Sequence, residues 1–154
     1  MFYSCEKYNP HNKNHIEYII VNETSIIKTP AYLHTFEDKT SNEKYCVVSD
    51  NIGIAMPYLK LDNEFVVGTS QYIYFYDVVF KNIECIALNS PCTMILFSHY
   101  KIIIICESDV TILSLANKRV VAEFKFNDII TDYELYQDYI FIYLMEGPEH
   151  KIDI

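Results

Sequence analysis

Between Lys125 and Lys151 the chain carries six carboxylates, Asp128, Asp132, Glu134, Asp138, Glu146 and Glu149, interleaved with Tyr133, Tyr136, Tyr139 and Tyr143. His150 is the sole basic residue of that interval. Acid and tyrosine at this density suit recognition. Crowded like charges repel one another, which weighs against a purely structural use. Carboxylates steer a basic partner in, and tyrosines supply rigid contact area with a hydroxyl to spare. Asp128, Asp132, Tyr133, Glu134, Tyr136 and Asp138 are therefore the candidate partner-binding residues, and the acidic turn Asp62-Asn63-Glu64 adds Asp62 and Glu64. The competing use of such a segment is a solvated face that keeps the protein soluble.

Catalytic and cofactor patterns are missing. Gly53, Gly68 and Gly147 stand singly, so no glycine-rich loop can cradle a phosphate. There is no G-x-S-x-G elbow, no H-E-x-x-H and no cysteine pair at two-residue spacing, and neither cofactor nor metal is expected. His11 and His15 are four apart, as two ligands on a helix face would be, but Asn12, Lys13 and Asn14 between them make no amphipathic helix. An enzymatic alternative rests on Cys92 or Cys106 with His99, because members of a triad meet in space and not in sequence.

The net charge of -9, the pI near 4.9 and a single arginine, Arg119, oppose binding to nucleic acid or an anionic membrane and make a basic protein the natural partner. Five cysteines, odd in number, unpatterned and mostly inside apolar runs, are the usage of a reduced compartment, with free thiols expected. The N-terminus lacks a signal-peptide pattern, and the purely aliphatic run Ile102–Ile105 is far below the roughly 20 residues that cross a bilayer. The expected setting is cytoplasmic.

The elements that must position these residues are strands. With 14 Tyr, 9 Phe, only 3 Gly and 51% hydrophobic residues, the composition favours pleated, half-buried backbone, and 154 residues fit one β domain. Residues 1–15 read as a polar surface lead-in that docks through Phe2 and Tyr3 with no core role, and His34 to Lys44 as an exposed loop and alternative contact surface. Strand pairs are expected at Glu17–Val21 with Ile26–Lys28, at Phe65–Val67 with Tyr72–Asp77, and at Ile102–Ile105 with Val110–Leu115. A shift of 38 residues superposes Phe65-Val66-Val67 on Ile103-Ile104-Ile105, and Ile102–Ile105 on Ile140–Tyr143. It also carries Leu88-Asn89 onto Phe126-Asn127.

A unit of this length, with an all-apolar strand, a tight polar turn and wetter strands after it, resembles one blade of a β-propeller. No Trp-Asp signature is present, since the chain has no Trp. Repeats near 16–60, 61–100 and 101–154 are too few to close a wheel. The fold expected is an open, half-propeller arc of about three blade-like repeats, the alternative being a curved β-sandwich. Either leaves sheet edges through which a homo-oligomer could form.

Small size, strong acidity and the lack of chemistry of its own give the chain a resemblance to the immunity proteins of bacterial toxin–immunity pairs, including those of contact-dependent growth inhibition. The resemblance implies a binding protein, not an enzyme, that covers the active site of a basic toxin nuclease. The alternatives are a propeller-like scaffold module of a larger assembly and an enzyme with an unrecognised site.

Overall fold

The computed structural model describes residues 1–9, 11, 19–22, 31–49 and 55–154. Among them are fifteen strands and no helix. Sheet I contains β1 (Phe2–Lys7), β2 (Ile19–Asn22), β3 (Tyr32–Asp38) and β4 (Glu43–Ser49), in the order β1-β3-β4-β2 with β2 parallel to β4. Sheet II is the antiparallel meander β5 (Tyr58–Lys60), β6 (Glu64–Gly68), β7 (Tyr72–Asp77) and β8 (Asn82–Ala87). Sheet III repeats it with β9 (Cys92–Ser98), β10 (Lys101–Cys106), β11 (Asp109–Ser114) and β12 (Val120–Lys125). Sheet IV has three strands, β13 (Ile130–Leu135), β14 (Tyr139–Leu144) and β15 (His150–Asp153).

The sheets stack face to face in sequence order, and this explains the unbroken apolar runs. Successive side chains of a strand point to opposite faces, so a strand covered on both sides has no position left for a polar residue. Phe65 and Val67 of β6 face sheet I, where they join Phe36, Tyr45 and Val47, while Val66 between them faces sheet III. Ile102, Ile104 and Cys106 of β10 pack with Val66, Ile73 and Phe75 of sheet II, and Ile103 and Ile105 turn to Ile140, Ile142 and Ile152 of sheet IV. Among the described residues no core cluster joins sheet I to sheet IV, and the arc is open.

The sequence repeat is also a repeat of hydrogen bonds. The Cys92 N–H donates to the Thr69 carbonyl at 3.1 Å and ties sheet III to sheet II; 38 residues on, the Ile130 N–H donates to the Glu107 carbonyl at 2.7 Å and ties sheet IV to sheet III. Within the units, Val78 N–H to Asn63 O, Leu115 N–H to Tyr100 O and Ile154 N–H to Asp138 O are successive copies of one closing bond. Phe65–Val67, Ile103–Ile105 and Phe141–Tyr143 accordingly lie in β6, β10 and β14, the second strand of each sheet.

Gly68 marks where β9 crosses β6. A Cβ there would overlap the Cys92 side chain, 2.7 Å from its Cβ, and would meet Pro57 Cγ at 3.2 Å. The two central residues of the β9–β10 turn, His99 and Tyr100, are left-handed at φ 48° and 60°, a conformation L-residues adopt only at a cost.

Two expectations need correction. The lead-in supplies a paired strand, β1, although Tyr3 docks as expected, packing on Phe36 with ring centroids 5.3 Å apart. The segment His34 to Lys44 is no exposed loop: it holds most of β3, the turn 39–42 and the start of β4. Its polar look misleads because His34 is fully buried, sharing hydrogen bonds with Tyr3 Oη at 2.9 Å and Ser49 Oγ at 3.2 Å. The strands fall into four groups, 2–49, 58–87, 92–125 and 130–153, and the last three are the consecutive antiparallel meanders that make about three blade-like units. Most of the expected hairpin Glu17–Lys28, including its turn, lies outside the described residues, as does His15.

Candidate functional site

The acidic, tyrosine-rich segment becomes sheet IV. β14, unlike β6 and β10, is covered by a core cluster on one face: Ile140 and Ile142 pack on sheet III, and Tyr139, Phe141 and Tyr143 point the other way. Asp132 and Glu134 of β13 stand opposite Tyr143 and Phe141, and Lys151 and Asp153 of β15 stand opposite Phe141 and Tyr139. The outer face is thus an aromatic row with a carboxylate row on one side and an ion pair on the other. Tyr139, Phe141 and Tyr143 belong to none of the core clusters of the described residues, and the ring contacts of Tyr139 and Phe141 are made within sheet IV and its β13–β14 turn.

The aromatic row is ordered by ring contacts. Tyr136 stacks on Tyr139 at 4.7 Å and meets Phe141 edge-on at 6.0 Å. Lys151 Nζ lies 4.3 Å from the Tyr139 ring centre and 3.4 Å from Asp153 Oδ1. Tyr136 Oη donates to Glu134 Oε2 at 2.7 Å, and this bond together with the Glu134 charge pushes the Tyr136 hydroxyl up to about 12. The Tyr143 hydroxyl is also raised, by desolvation first and then by the charge of Glu134.

The candidate residues divide between several places. Asp132, Glu134 and Tyr136 share the outer face with the aromatic row. Tyr133 does not: a register shift between Ile130 and Asp132 turns its ring inward, against the core between sheets III and IV. Asp128 spends both carboxylate oxygens on the fold, accepting the Ile129 N–H with one and the Glu146 N–H with the other. Asp138 is exposed in the β14 turn. Asp62 and Glu64 belong to a second site, an open cleft of about 600 Å³ between sheets II and III. There Lys118 Nζ donates to Glu64 Oε2 at 2.7 Å and to the Leu115 carbonyl at 2.8 Å, 5.4 Å from the Phe75 ring centre. Lys60, on the rim, donates to Tyr45 Oη at 2.8 Å and pairs with Glu43 at 3.5 Å.

Sequence reasoning placed Tyr139 and Tyr143 in the recognition segment without naming them as contact residues, and it missed Phe141 between them. The signal was present: within Tyr139–Leu144 every second residue is aliphatic and every other one aromatic, a pattern the fully apolar β6 and β10 lack.

The cysteine–histidine alternative is not assembled. Cys92 and Cys106 are buried partners across β9 and β10, whereas His99 follows the far end of β9 in an exposed turn and shares a 3.1 Å hydrogen bond with Ser98. The hydrogen-bonded Cys92 thiol and then burial push the Cys106 thiol far up, away from the thiolate a nucleophile needs. Among the described residues no group of three or more His, Cys, Asp or Glu side chains is placed to hold a metal ion.

No known protein family and no curated protein matches the chain. Solved structures do. The chain is similar to the β-propeller domain of Myceliophteria thermophila Cps50 (Swd1), with 15% identity over 68% of this chain and 36% of that one and a TM-score of 0.54. The arc is a propeller left open. The same likeness extends to Saccharomyces cerevisiae Sqt1, at 11% identity, 80% of this chain, 41% of that chain and a TM-score of 0.56. It extends also to the computationally designed Ika4 protein, at 14% identity, 68% of this chain, 69% of that chain and a TM-score of 0.56. The chain spans less than half the length of the two natural proteins, and at these identities the likeness speaks for the fold alone. Each of sheets II to IV is therefore a blade.

Proposed function

We propose that the chain is a propeller-like interaction module whose outer blade IV face docks a basic partner protein. One observation carries the reading: β14 presents Tyr139, Phe141 and Tyr143 away from blade III, beside the carboxylates of Asp132 and Glu134. Aromatic rings with polar tips, ringed by charge, are the composition of protein-binding patches, and an acidic rim selects a basic partner through the association rate. The fold supports a scaffold role, because stacked blades make a rigid platform with a surface at each end. Neither the geometry nor the comparisons add to small size and acidity as grounds for the narrower reading as the inhibitor of a toxin nuclease.

A photo-crosslinking residue in place of Phe141, compared in the native cell with one in place of the exposed Glu123 of β12, tests the reading. The expected result is a discrete adduct from position 141 alone, of a protein with a basic surface, that is lost when Asp132 and Glu134 are both changed to Lys. Equal adducts from both positions, or none from 141, would sink it.

A further inference from the structure

We infer that the cleft between blades II and III receives an arginine side chain of a partner protein. The inference rests on the reading of the chain as a module for a basic partner and gives that partner a second point of contact, away from blade IV.

The charges in the cleft decide the sign of its ligand. Both ammonium groups are already committed, Lys118 to Glu64 and the Leu115 carbonyl, and Lys60 to Tyr45 and Glu43. An anion would have to displace one of those carboxylates. Asp62, by contrast, is exposed and makes no hydrogen bond or ion pair, and Asp77 uses one oxygen, Oδ1, for the Val79 and Phe80 N–H groups and keeps the other. The uncommitted charge facing the cleft is negative.

The walls decide the shape. Leu61 and Leu115 line it with Phe97, 40% exposed, and Tyr100, 81% exposed. Tyr100 stands in the β9–β10 turn, in the left-handed conformation described above, and lines the cleft with most of its surface in water. A compact ammonium ion would use the carboxylates and leave the rings in water. A guanidinium is planar, weakly hydrated and forked: it stacks on an aromatic face while its N–H groups reach carboxylates in its own plane, and its methylene stem covers the leucines.

The test uses the full-length chain, labelled for amide NMR, titrated with acetyl-Gly-Arg-Gly-amide and with the same peptide carrying citrulline, which keeps the shape and loses the charge. The arginine peptide is expected to shift amides of residues 61–64, 97–101 and 115–118 saturably, with a dissociation constant on the order of millimolar for a single side chain. Citrulline should leave them in place. Asp62→Asn should weaken binding about tenfold and Tyr100→Ala severalfold, with Tyr100→Phe restoring most of the latter loss. Both sites are exposed, so a spectrum otherwise like that of the wild type will confirm that the variants fold. Equal shifts from the citrulline peptide, or no saturable shift, overturn the proposal. Shifts confined to Asp132, Glu134 and the β14 aromatics overturn it too, while leaving the blade IV face as the docking surface.

Discussion

Ile140 and Phe141 are neighbours in β14 that the fold sends to opposite sides, and replacing each in turn with Ala tests the stacking directly. Ile140 is 0% exposed and packs among Ile103, Ile105, Val110 and Ile112, so its truncation leaves a cavity between blades III and IV that costs about 2–5 kcal/mol. Phe141 belongs to none of the core clusters of the described residues. Its ring meets Tyr136 at 6.0 Å and Tyr139 at 5.4 Å, two aromatic pairs whose loss amounts to about 1–3 kcal/mol. A domain of this size loses about 2–4 °C of Tm per kcal/mol, so the Ile140→Ala protein should melt roughly 4–20 °C lower and the Phe141→Ala protein, at a given slope, by about half as much. Urea denaturation followed by circular dichroism gives the same comparison at fixed temperature. If Phe141→Ala costs as much as Ile140→Ala, the outer face of blade IV is interior, and the docking argument falls with it.

Gly68→Ala should destabilise by about 1–3 kcal/mol, read as a lower urea midpoint, because the added methyl overlaps the Cys92 side chain where β9 crosses β6. The double change His99→Asn, Tyr100→Gly should raise stability by about 1–2 kcal/mol, since Asn-Gly accepts the two left-handed positions without strain, and it should weaken arginine binding in the cleft severalfold, as Tyr100→Ala does. In a tyrosinate absorbance titration, Tyr136 should release its proton near pH 12. Its folded value lies above the ordinary one, so this contact favours the folded protein below about pH 10 and the benefit fades as pH rises through 12. Glu134→Gln should return the transition toward 10, and an unchanged transition would refute the Tyr136–Glu134 contact.

What the sequence made legible follows from how the blades bury their strands. Ile102–Ile105 and Phe65–Val67 are apolar at every position because neighbours cover both faces, and such runs can be read without knowing the fold. Thirty-eight residues bring the chain back to the same place in the next blade, so the repeat was legible as well. Sheet I was not. Its β3 alternates Leu33, which faces one cluster, with the buried polar His34, and Phe36, which faces another, so no simple apolar stripe marks it. The acidic segment pointed to a docking surface, yet side-chain direction there depends on the register shift after Ile130, which sent Tyr133 inside and left Asp132 and Glu134 out. The cleft was hidden for a further reason: Asp62 and Tyr100 line it from two different blades.

The two kinds of strand pairing also set an order of assembly. Sheets II to IV are meanders in which each strand pairs with the one just before it, so their contacts close short loops and form early. Sheet I joins β1 to β3 across the intervening β2, and β2 to β4 across β3, so it must close longer loops and gains little until its apolar face has something to rest on. That support is the side of β6 carrying Phe65 and Val67, where Tyr45 stacks on Phe65 at 4.3 Å. Blade II is thus the template on which the N-terminal sheet is laid, and amide protection during refolding should reach β6 and β10 before it reaches β1.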